Sequence, residues 1–194
     1  MRLRAARRSE TLAVRALAGA AAASEGCSDA TSVAATVANP VDTVSLAALT
    51  GTPVAAPSAC ALNGAVRVET PQSAKFDFAF DLEGDGRSVL IPGGYLNAVP
   101  DTPLQPGLAG TSLPFDQMVR APNDGYTTAA PIPITPGDRY YVRSAVIPAC
   151  SDSLPFYAKL EVLGVDTAAR QLNFRVLVDQ NCGYRGLEPG LPVN

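Results

Sequence analysis

The chain holds no histidine. That removes the general base of Ser–His–Asp and Cys–His catalysis and the commonest ligand of a catalytic zinc. Chemistry is left to carboxylates, arginines, tyrosines and four cysteines. Asp77 and Asp81 lie on one face of a candidate strand, but four residues of strand span about 13 Å. The carboxyls of a glycosidase stand roughly 5–9.5 Å apart. The two therefore read as a solvated face, and a carboxylate-dependent hydrolase is the remotest function open to the chain.

Asp81, Glu83 and Asp85 stand at the first, third and fifth places of a calcium-like loop, with Gly86 at the sixth. Hard cations take such oxygen sets, but the twelfth place, where a bidentate Glu belongs, is Pro92. Glu83-Gly84-Asp85-Gly86 serves equally as a hairpin turn, for backbone reasons. No cofactor is expected, and calcium at Asp81, Glu83 and Asp85 is the one metal candidate. Arg139, Tyr141 and Arg143 alternate along another strand, so they share a face. Two guanidiniums flanking a phenol suit an anion or a carbohydrate carboxylate. The plainer alternative is a solvated face with arginine stems packed on the ring.

Cys150 precedes, and Cys182 follows, two period-two runs that read as an antiparallel hairpin, so both lie at its open end. A Cys150–Cys182 disulfide is expected there. Cys60 then pairs with Cys27, or stays single if Cys27 is lipidated. Zinc is not expected, since no C-x-x-C spacing occurs.

Strands must position these residues. Thr43–Leu49, Ser58–Leu62, Ala65–Glu69, Lys75–Leu82 and Arg87–Ile91 are candidates, with Asn63-Gly64 as a hairpin turn. Phe76, Phe78, Phe80 and Leu82 should share the core face of theirs. Residues 92–113 carry four prolines and four glycines and read as a long loop. Phe115–Arg120 and Tyr126–Ile134 are weaker strands, the second confined to an edge by Pro131 and Pro133. Arg139–Ser144, Phe156–Leu163 and Gln171–Asp179 complete the set. Short alternating segments between Gly, Pro, Asn and Asp, without helical periodicity after residue 27, predict an all-β fold. The expected form is an antiparallel β-sandwich of Ig-like, Greek-key type.

The N-terminus is different. "MRLRAARR" precedes an apolar stretch, Ala16–Ala23, with small residues suited to a signal peptidase. Residues 1–26 read as an export leader, with a soluble Ala-rich helix as the alternative, and 27–40 as a flexible tether. The sandwich domain is 41–194. Cys27 is a lipidation candidate and hence a membrane tether. No other run is long enough to span a bilayer. After Gly26 only ten basic residues face sixteen acidic ones, a net charge of about −6. Nucleic acid is not an expected partner, since it needs clustered Lys and Arg.

"FDFAFDLEGDGRSVLIP", "VDTVSLAALTGTPVAAPSA" and "YAKLEVLGVDTAARQLNFRVLVDQNCGYRGLEPG" together resemble uncharacterised exported β-sandwich proteins of GC-rich bacteria, many of them lipoproteins. The resemblance implies a fold and an extracytoplasmic location (periplasmic, cell-surface or secreted), and no activity. Arg15 within the apolar run and Ser24-Glu25-Gly26 before Cys27 depart from the leader and lipobox of such proteins. The expected function is a non-enzymatic binding or structural module. The alternative is a self-assembling subunit in which Thr43–Leu49 completes a neighbour's sheet.

Overall fold

A computed structural model describes residues 34–62, 75–96, 104–146, 150 and 154–192. The leader, Cys27, the Asn63-Gly64 turn and Ala65–Glu69 lie outside these residues.

Among the described residues the chain forms nine strands: β1 (Val41–Ala47), β2 (Ala59–Cys60), β3 (Phe78–Leu82), β4 (Ser88–Pro92), β5 (Gly107–Thr111), β6 (Ile132–Pro133), β7 (Arg139–Val146), β8 (Pro155–Asp166) and β9 (Gln171–Asp179). They make two antiparallel sheets, one of order β1-β9-β8-β7-β5 and one of order β2-β3-β4-β6. Leu172, Phe174 and Val176 of β9 meet Phe78, Phe80 and Leu90 of the smaller sheet in one buried apolar cluster. Phe78 and Phe174 touch edge-to-face, ring centres 6.0 Å apart. Each such side chain buried is worth about 1.5–3 kcal/mol, so this shared face holds the sheets together.

The clearest hairpin is β8–β9, paired from Tyr157 opposite Asp179 to Asp166 opposite Gln171. Its turn ends on Arg170, at φ 54°. That left-handed conformation is unfavourable for a side chain, but the guanidinium bonds to the Thr50 carbonyl and hydroxyl. Cys150 and Cys182 are joined at the hairpin's open end, Cα atoms 5.6 Å apart. Cys60 is a free, buried thiol. It belongs to the inter-sheet core, while Cys27, its alternative partner, lies outside the described residues.

Several elements differ from expectation, each for a local reason. β3 begins only at Phe78, because the chain bends at Asp77. A bend interrupts the two-residue period and exchanges the faces before it. Phe76 therefore packs with Ala59 and Ala79 on the far side of the sheet. Residues 92–113 contain β5, a Gly–Ala edge strand too small-featured to show a period. Phe115–Gln117 is a 3₁₀ turn behind Pro114, not a strand. Tyr126–Ile134 yields only β6, because Pro131 and Pro133 cannot donate to a ladder. Within the expected tether, residues 36–39 are pinned to the domain. The backbone N–H groups of Thr36 and Val37 donate to Asn181 Oδ1, and Asn39 exchanges backbone hydrogen bonds with Gly190. Among the described residues no helix is long and apolar enough to cross a membrane.

Candidate functional site

The face of the five-stranded sheet turned away from the main core is unusually polar. Cross-strand register arranges it in rows. One runs Gly107–Arg143–Tyr157–Asp179, the next Ala109–Tyr141–Lys159–Leu177–Val41, the third Thr111–Arg139–Glu161–Arg175–Thr43. Alternation along each strand puts these side chains on one surface. This surface is covered: Phe115, Met118 and Ala121 from the 3₁₀ segment and Leu187 from the C-terminal tail pack on Tyr141, Tyr157 and Leu177. Ala121 N–H donates to the Arg185 carbonyl and Leu187 N–H to the Val119 carbonyl, so the two covering segments are stitched together.

In the third row Glu161 is shared between two arginines. Arg139 Nε donates to Oε1 at 2.7 Å and Arg175 Nε to Oε2. Buried charge needs such pairing. The Arg175 guanidinium lies 4.1 Å from the centre of the Phe115 ring, and Lys159 Nζ lies 4.6 Å from the same ring. Phe115 thus caps two cations with its electron-rich face. Burial pushes the Lys159 ammonium below its ordinary range.

At the other end of this face Arg143 and Arg185 form no ion pair among the described residues. Arg143 lies 4.5 Å over the Tyr126 ring and donates from one terminal nitrogen to the Gln105 carbonyl at 3.0 Å. Tyr126 also faces Tyr157, ring centres 6.5 Å apart, and its hydroxyl donates to the Pro122 carbonyl. Burial raises the Tyr126 pKa, Tyr157 adds to this, and the charges of Arg143 and Arg185 oppose it. The Nε donors of both Arg143 and Arg185 are buried and make no hydrogen bond among the described residues. Gly107 makes room for this corner: a Cβ there would meet the Thr127 carbonyl oxygen at 2.9 Å and Tyr126 Cβ at 3.0 Å.

The expected ligand set therefore divides. Arg139, Tyr141 and Arg143 do share a face, but that face is covered rather than solvated. Arg139 is committed to Glu161, Tyr141 is buried, and Arg143 keeps donor capacity. Arg185, Tyr126, Lys159 and Arg175 were not legible as partners. Lys159 and Glu161 did carry a signal, as charged residues at alternate places within an apolar run.

The calcium-like carboxylates do not converge. Glu83 and Asp85 both pair with Arg87, at 2.6 and 2.7 Å. Asp81 accepts from the Thr50 amide and hydroxyl. Arg87, two residues beyond Asp85, draws both turn carboxylates to itself. No group of three metal-ligating side chains occurs among the described residues.

Asp77 is not solvated either. It is 5% exposed, and its oxygens accept from Leu62 N–H at 2.7 Å and Ala145 N–H at 2.9 Å. One carboxylate thus joins the two sheets. Burial raises its pKa to about 6 against these two donors.

No family model, no curated protein and no solved structure matches the chain.

Proposed function

We propose that the chain is a non-enzymatic, extracytoplasmic binding module that takes an anionic group at the corner formed by Arg143, Tyr126 and Arg185. The observation that carries this reading is the pair of buried Nε donors without an acceptor among the described residues. Elsewhere Arg87, Arg139, Arg170 and Arg175 each stand within 4 Å of a carboxylate. A buried donor left unpaired costs about 1–3 kcal/mol, and a carboxylate, sulfate or phosphate oxygen would supply what both arginines lack. The Cys150–Cys182 bond supports an oxidising compartment.

Titration of labelled full-length protein with sulfate, phosphate and glucuronate tests this. Saturable shifts of the Arg143 and Arg185 Nε–H resonances are expected, with at least about tenfold weaker binding in an Arg143→Gln/Arg185→Gln variant. Shifts that are unsaturable, or unchanged in that variant, would overturn the assignment.

A further inference from the structure

A polar knot lies where the two ends of the domain meet. Continuing the β1–β9 register two residues past Val41 opposite Leu177 sets Asn39 opposite Asp179. Both are buried, at 2% and 0% exposure. Asn39 donates its two side-chain protons to the carbonyls of Gly186 and Glu188, at 3.0 and 3.2 Å. Its backbone exchanges hydrogen bonds with Gly190. Asp179 Oδ1 accepts from the backbone and side-chain nitrogens of Asn181, at 2.9 and 2.8 Å. Asn181 in turn holds Thr36 and Val37 through its own oxygen and donates to the Val37 carbonyl. Burial raises the Asp179 pKa, and hydrogen bonds from Asn181 and then Asn39 oppose it. Residues 36–39 and the tail 186–190 are thus tied to each other and to the end of β9.

The tail held here is the one that carries Arg185. Before Arg185 it is fixed by the Cys150–Cys182 bond, by Gly183 N–H donating to the Pro155 carbonyl and by Tyr184 N–H donating to the Asn181 carbonyl. Beyond it, Leu187 is buried and bonds to Val119, while Glu188, Pro189 and Gly190 are exposed. Past Leu187 the tail's hydrogen bonds among the described residues all go to Asn39. The third Asn39 contact, the Gly186 carbonyl, lies one residue from Arg185. Asn39 is therefore the fastening on the far side of Arg185, as the disulfide is on the near side.

We propose that Asn39 is a positioning residue for the anion corner: by fastening the tail at Gly186 and Glu188 it holds Arg185 in place, and so couples residues 36–39 to the bound anion. The coupling rests on the anion reading given above. An arginine on a fastened backbone has less freedom to lose when it takes up a ligand, so binding is tighter than from a loose tail. Such coupling is reciprocal. If a fastened tail favours the anion, the anion must in turn fasten the tail, and the knot at Asn39 registers whether the corner is filled.

Two measurements on the full chain decide this, with sulfate, phosphate and glucuronate as the probes. In the unsubstituted chain, a saturating anion should slow hydrogen exchange of the Asn39 and Gly190 amides by about three- to tenfold, and leave that of Phe80, in the other sheet, unchanged. Asn39→Ala should weaken anion binding by a similar factor. It should weaken binding no further where Arg185→Gln is already present, and by the full factor where Arg143→Gln is. Saturable binding that leaves Asn39 and Gly190 exchange unchanged overturns the coupling while the anion corner stands. An Asn39→Ala loss undiminished by Arg185→Gln does the same. An unsubstituted chain that binds none of the three anions overturns the corner itself, and the coupling with it. The exchange measurement needs no variant, so poor folding of Asn39→Ala leaves the test intact.

Discussion

Asp77 illustrates how one side chain can be misassigned by its type and placed by its surroundings. Its carboxylate holds Leu62, two residues past β2 of the smaller sheet, and Ala145, in β7 of the larger, through their N–H groups. Replacing it with Ala would leave two buried donors unmet, at about 1–3 kcal/mol each. We expect Asp77→Ala to lose about 2–5 kcal/mol in urea unfolding at neutral pH. Its folded pKa, about 6, lies above the ordinary 3.8. The linked stabilisation is therefore fully present below about pH 4 and lost as pH rises through about 6, roughly 3 kcal/mol in all. Asp77→Asn should lack this dependence. The stability difference between it and the unsubstituted chain should shift in favour of the latter by about 2–3 kcal/mol from pH 7.5 to pH 4. Parallel profiles would show that Asp77 does not titrate in this range. The same carboxylate helps keep Cys60 a thiol, since burial and then the charge of Asp77 both push its pKa up.

At the scale of elements, the sheet edges decide how the strands meet solvent. The outward-facing backbone of β1 is closed at both ends, by Asn39 bonding to Gly190 and by Ala47 N–H donating to the Pro57 carbonyl. Val41, Thr43 and Ser45 remain between. β5 is closed by Leu108 exchanging hydrogen bonds with Thr127. In the smaller sheet one edge strand, β2, has two residues and the other, β6, ends in Pro133. Short, capped or proline-bearing edges resist pairing with another chain, which weighs against self-assembly by strand addition. The disulfide acts at this scale too. It closes a loop of 32 residues, and in the chain-entropy model such a loop is worth about 3–4 kcal/mol. A Cys150→Ser/Cys182→Ser variant should unfold in urea with a loss of that size and an otherwise native fold. A much smaller loss would mean that the tail's hydrogen bonds to Asn39 and Val119 already restrain the chain.

The described β domain has three layers rather than two. The sheets bury an apolar core between them, and the second polar face of the larger sheet is covered by residues 115–121 and the tail. That outer layer explains how a chain with few charges can bury Lys159, Glu161 and Asp179: each gains a ring, an arginine pair or an amide knot instead of water. With the edges blunted and about six net negative charges after Gly26, copies should repel rather than pair. Sedimentation should report a monomer whose mass does not change with concentration. A concentration-dependent dimer would restore strand addition through Val41–Ser45.

Local chemistry alone determined much of this protein. Leu172, Phe174, Val176 and Val178 alternate in sequence, and a two-residue period allows only a strand with one buried face; β9 follows, Gln171–Asp179, and β8 with it. Cys150 and Cys182 flank that hairpin, so their bond was legible once the hairpin was. Arg139, Tyr141 and Arg143 share a face for the same reason. What covers that face could not be read, because Phe115 and Leu187 lie 26 and 46 residues from Tyr141 and meet it only when the segments fold back. The bend at Asp77 depends on Leu62 and Ala145, and the Asn39–Asp179 knot joins residues 140 apart. β5 was hidden because Gly and Ala show no period. Periodicity reports which way a side chain points; only the tertiary structure decides whether it points at water, at an opposite charge or at an unfilled donor.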